Sequence, residues 1–60
     1  MEKFKTEYQR KRVENRLTQF DVARFVGVTV NTVVKWENGV MNPTQENEVK
    51  LRKILGMAVD

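Results

Sequence analysis

The sequence predicts an all-α fold, a compact bundle of four or five short helices. Apolar side chains recur at helical spacing in each segment, and Thr18, Thr29 and Thr44 stand just ahead of three segments as N-caps. Gly27, Gly39 and Gly56 then supply stops, and the one β-rich run has no second strand to pair with. With 60 residues the chain is read as one domain, residues 1–60. A domain this small buries only about 60% of its unfolded surface, so its core must be efficiently packed.

The first helix is expected from Phe4 to about Arg16, with Phe4, Tyr8 and Arg12 spaced by four and Val13 beside them. Arg12 is the misfit on this apolar face. A guanidinium turned toward a core needs a carboxylate, because an unpaired buried charge is very costly. The second helix opens at Gln19, where Thr18 and Asp21 approximate a capping box. Val22, Ala23 and Val26 form its inner stripe, and Gly27 ends it. Barely two turns long, it needs neighbours to be stable.

Val28-Thr29-Val30-Asn31-Thr32-Val33-Val34 would be a strand on propensity alone. Against that, Thr29 is a good N-cap and Val33, Trp36 and Glu37 share one helical face, so a helix is expected over Val30 to Asn38. The fourth helix is expected from Gln45 to about Leu55. Leu51, Ile54, Leu55 and Ala58 lie on its inner side, and Gly56 frays its end.

Composition excludes much chemistry. There is no Cys, His or Ser, hence no disulfide, no thiolate zinc site, no imidazole base and no Ser-His-Asp triad. The chain is not expected to be an enzyme, and nothing in it calls for a metal or cofactor. The net charge of +3 suits an anionic partner. The first 35 residues carry eight basic against four acidic side chains, while the remainder is slightly acidic. Met1 to Val13 lacks the apolar stretch of a signal peptide, and no run approaches the roughly 20 residues that span a bilayer. A cytoplasmic protein is expected.

Between Gln19 and Asn38 lie two short helices joined by Gly27-Val28-Thr29. Ala23 permits close approach, Gly27 permits the sharp turn, and Val22, Val26, Val28, Val33 and Trp36 fill the angle. An ordinary helical hairpin shares these features. The residues themselves go further: Leu17-Thr18-Gln19, Val22-Ala23, Gly27-Val28, Lys35-Trp36-Glu37-Asn38-Gly39 and Pro43 resemble the phage repressor/Cro-type (Xre) helix-turn-helix family. The resemblance covers roughly Phe4 to Gly56 and implies a lambda-repressor-like fold and a double-stranded DNA operator as partner.

It also implies roles. Arg12 would pair with Glu37 and tie the first helix to the end of the recognition helix. Val30, Asn31 and Lys35 would read bases in the major groove, with Val34 close by. The chemistry suits those places: Asn31 to adenine, Lys35 to guanine, Val30 to a thymine methyl. Asn31 could instead cap its helix, and Lys35 could hold phosphate. Gln19 at the start of the second helix and Thr29 and Thr32 at the start of the third are phosphate candidates, since free N–H groups and positive dipole ends there favour anions. Asn38, at the end of the third helix, is a further one. Arg16 and Arg24 either add to this or are simply solvated.

Three departures from the family stand out. Val40-Met41-Asn42 replaces the basic residues that often follow Gly39, and Val40 and Met41 become candidates for a protein contact. Phe20 and Phe25 stand where polar residues are usual and are read as extra core, the alternative being an apolar contact patch. Gln45 and Glu48 occupy places commonly held by leucine, and the chain stops where a fifth helix often follows. The expected function is a small transcriptional regulator, a repressor, binding its operator as a homodimer. An antitoxin-type or other protein-interaction module on the same fold is the alternative.

Overall fold

Four threonines decide where the helices begin. Thr6, Thr18, Thr29 and Thr44 each sit in extended backbone, and each hydroxyl accepts the N–H of the residue three further on. The computed structural model describes residues 3–59; Met1, Glu2 and Asp60 of the expected 1–60 domain lie outside the described residues. The helices are α1 (Glu7–Glu14), α2 (Gln19–Val26), α3 (Val30–Glu37) and α4 (Gln45–Leu55). Among the described residues there is no strand and no fifth helix.

α1 is shorter than the spacing suggested. Thr6 caps it, so Phe4 precedes the helix, and Asn15 closes it. Arg16 then takes a left-handed backbone with φ 60°, while the Leu17 N–H returns to the Arg12 carbonyl at 3.0 Å. No α1 residue is fully buried, and Val13 is exposed. Tyr8 is its apolar contribution to the core.

α2 carries a complete capping box, Thr18 with Asp21, and ends on Gly27 at φ 90°, a left-handed conformation that suits glycine. The core is built from Val22, Ala23 and Val26 of α2, Val33 and Trp36 of α3, and Leu51 and Leu55 of α4. α2 packs against both α3 and α4, and α1 lies across the same two helices.

The β-rich run is helical, for a reason visible in magnitudes. Each β-branched residue costs a few tenths of a kcal/mol in a helix, up to about 0.7. Burying a side chain such as Val33 contributes about 1.5–3 kcal/mol, and Val33 and Trp36 are 1% and 2% exposed. Packing wins.

Three expectations need correction. Phe20 and Phe25 are not core: they are 71% and 53% exposed. α2 has only two turns, its inward stripe is filled by Val22, Ala23 and Val26, and successive side chains rotate by about 100°. Positions 20 and 25 therefore fall outside that stripe, one on each flank. Ala58 is exposed and lies beyond α4. Nor does Gly56 fray the helix; at φ 70° it makes a defined C-cap, with the Met57 N–H donating to the Arg52 carbonyl at 2.9 Å.

Candidate nucleic-acid interface

The α2–α3 corner is built from backbone first. The N–H groups of Gly27 and Val28 both donate to the Ala23 carbonyl, at 2.8 and 3.0 Å. This closes α2 and turns the chain within three residues, so that Thr29 can cap α3. Val28 packs onto the core at the turn, and Ala23 is buried between the helices.

α3 divides sharply between its faces. Val33, Trp36 and Glu37 are buried, whereas Asn31 and Lys35 are exposed. Four residues apart, these two project from the same side. Val30 and Val34 are half-buried, and Val30 packs partly on the core, which leaves only part of its side chain for an outside contact.

The candidate phosphate residues occupy three different places. Thr29 and Thr32 stand together at the start of α3, their hydroxyls 2.9 Å apart. Gln19 opens α2, and its amide Nε2 donates to Glu37 Oε1 at 3.2 Å. Asn38 is exposed at the far end of α3, where its N–H donates to the Val34 carbonyl at 3.0 Å. Beside Gln19, the Asp21 carboxylate accepts the Thr18 N–H at 2.8 Å. That bond, with the Thr18 hydroxyl contact behind it, lowers the Asp21 pKa.

Behind the exposed face, Glu37 is 3% exposed and richly bonded. Arg12 donates to it through Nε (2.5 Å) and Nη2 (3.3 Å), and through Nη1 to the Leu17 carbonyl at 2.8 Å. The structure thus brings Arg12, Gln19 and Glu37 into one cluster joining α1, α2 and α3. Sequence reasoning missed Thr6, whose hydroxyl donates to the Glu37 carbonyl at 2.8 Å. A signal was present, since Thr6 with Gln9 three residues on has capping-box spacing. It also missed Asn15, whose amide reaches the carbonyls of Lys11 (2.7 Å) and Leu55 (3.0 Å) and ties α1 to the end of α4.

A buried scaffold that presents one exposed helix face across a tight three-residue turn is a helix-turn-helix arrangement, and the sequence profile of the helix-turn-helix family matches residues 9–60. The chain belongs to this family, in its Cro/C1-type branch. The family is one of DNA-binding transcription regulators. A protein from Haemophilus influenzae described as an uncharacterized HTH-type transcriptional regulator is 32% identical over 40 residues. The aligned region is 67% of this chain but only 17% of that relative, so the chain spans a small part of its length. No solved structure matches the chain.

Among the described residues no cluster of acidic side chains could hold a metal ion, and no helix is long and apolar enough to cross a membrane.

Proposed function

We propose that the chain binds double-stranded operator DNA with sequence preference, α3 lying in the major groove, and acts in the cytoplasm as a non-enzymatic transcriptional repressor. One observation carries this reading: α3 exposes Asn31 and Lys35 on one side while Val33, Trp36 and Glu37 anchor the other. Asn31 offers the paired donor and acceptor that adenine requires, and Lys35 a donor for guanine. Val30 and Val34 flank them as apolar contacts for thymine methyl groups.

Gln19, Thr29, Thr32 and Asn38 hold phosphates, setting register without reading sequence. Each module offers few base contacts, and two related by a two-fold axis would read half-sites about one helical turn apart. Repression then follows from occupancy by a homodimer.

The test is selection of bound duplexes from a random pool at fixed salt, then affinity across a salt series. A recovered two-fold motif and a linear fall of log affinity with log salt support the proposal. Equal binding of all duplexes overturns it.

Exposed Phe20, Phe25 and Val40, at 71%, 53% and 74%, favour a second reading, a protein-interaction or antitoxin-type module on the same fold. That reading gains if no duplex is selected.

A further inference from the structure

Thr6, the N-cap of α1, also reaches the end of α3 and so joins two helices through one hydroxyl. Its hydroxyl oxygen accepts the Gln9 N–H at 3.2 Å, which starts α1, and its proton goes to the Glu37 carbonyl at 2.8 Å. These partners lie on different helices, and Glu37 is 31 residues away in sequence. The Glu37 carbonyl is one of the last in α3 and cannot be satisfied by continuing the helix. The amide that would have reached it in a longer helix, that of Met41, turns to the Lys35 carbonyl at 3.4 Å. Thr6 supplies the missing donor. Its methyl group also lies against the turn after α3: a Cβ built on Gly39 would come within 3.9 Å of Thr6 Cγ2.

We infer that Thr6 is a positioning residue for DNA recognition, holding the C-terminal end of α3 by its backbone while Arg12 holds the same residue by its side chain. The inference rests on the DNA-binding reading above. Two attachments at one residue restrain tilt as well as distance. Asn31 lies six residues back from Glu37, roughly 9 Å along the axis, so a tilt of about 5° displaces it by about 0.8 Å. That shift exceeds the spread of good hydrogen-bond lengths, roughly 2.7–3.2 Å, and would cost the directional base contacts of Asn31, while the phosphate contact of Gln19 on α2 stays in place.

Three substitutions separate capping from positioning. Thr6→Ser keeps both bonds. Thr6→Asp keeps an N-cap acceptor for Gln9 but, ionised, has no proton for Glu37. Thr6→Val removes both. Thermal melting establishes that each variant is folded, and the carbonyl carbon shift of Glu37 reports its hydrogen bond directly, without DNA. Affinity is then measured for the selected operator and for a random-sequence duplex.

The expected result is that Thr6→Asp melts near the parent, changes the Glu37 carbonyl shift, and loses about fivefold in the operator-to-random ratio, with Thr6→Ser restoring it. A parental ratio in Thr6→Asp overturns the inference and leaves Thr6 as a helix cap, with the DNA reading intact. A parent chain that prefers no duplex overturns the DNA reading itself, and this role with it.

Discussion

Arg12 Nε stands 2.5 Å from Glu37 Oε2, joining the last turn of α1 to the final residue of α3. Both side chains are largely shielded, at 15% and 4% exposure. Removing one partner leaves the other uncompensated at a cost of about 3–5 kcal/mol. Sixty residues typically provide only about 3–9 kcal/mol of total stability. Arg12→Met or Glu37→Leu alone is therefore expected to bring the chain close to its unfolding midpoint at room temperature, while the double variant regains much of the loss. Urea denaturation of all four proteins measures the coupling. Strictly additive losses would show that the pair is not a stability unit.

How much of this was legible in the sequence differed by kind of contact. Local signals served well: Thr18 with Asp21, Gly27, and Thr44 with Gly56 set the limits of α2 and α4. At Val28–Val34, local propensity pointed toward a strand and only the period of Val33, Trp36 and Glu37 showed the helix. A need for a partner was readable at Arg12, because charge on an apolar face demands one, but which partner came from resemblance rather than spacing. Thr6 was readable only as a helix cap, through its spacing to Gln9; its bond to Glu37, like that of Asn15 to Leu55, runs to a distant backbone carbonyl, which carries no side-chain signature. Arg16 was equally hidden, since arginine gives no hint of a left-handed backbone. Phe20 and Phe25 misled, because hydrophobicity says a side chain prefers burial and only α2's short inward stripe says there is no place for it.

That last point makes a contrast in stability. Phe20→Gln and Phe25→Gln are expected to change unfolding free energy by no more than about 0.5 kcal/mol, as exposed substitutions usually do. Leu51→Ala, at a position 2% exposed, should cost about 2–5 kcal/mol through lost burial and the cavity left behind. Denaturant midpoints at constant slope provide the comparison. A large loss at Phe20 would mean that it packs against something in solution, and a concentration-dependent midpoint would identify that something as a second copy.

Acid should loosen the start of α2. Asp21 has a folded pKa below its ordinary 3.8, held down chiefly by the Thr18 backbone N–H and then by the Thr18 hydroxyl. A depressed carboxylate stabilises the fold above its unfolded pKa, and that contribution disappears as pH falls through the folded value. Melting temperature in Asp21→Asn should accordingly fall less than in the parent between about pH 5 and pH 2. A carbon-detected titration of the Asp21 carboxyl with its midpoint at or above the ordinary value would contradict the capping geometry.

Asn31 and Lys35 share the exposed side of α3 but differ in charge, which allows their roles to be read apart. Asn31→Ala removes a neutral bidentate reader, so the loss should be confined to duplexes carrying the preferred base at one position, about 1–3 kcal/mol there. Its salt slope should match the parent, since Asn31 is neutral and its loss changes no counterion release. Lys35→Ala removes a cation as well. As a base reader it loses discrimination at one guanine; as a phosphate contact it weakens every duplex alike and lowers the salt slope by about 0.9. Binding isotherms for operator, single-base variants and random duplex at three salt concentrations distinguish these outcomes. The expected pattern is a lost base preference at two separate positions, one for each variant. If instead Asn31→Ala weakens all duplexes by the same factor, Asn31 only stabilises α3, whose cap is Thr29, and base recognition must come from elsewhere on the helix.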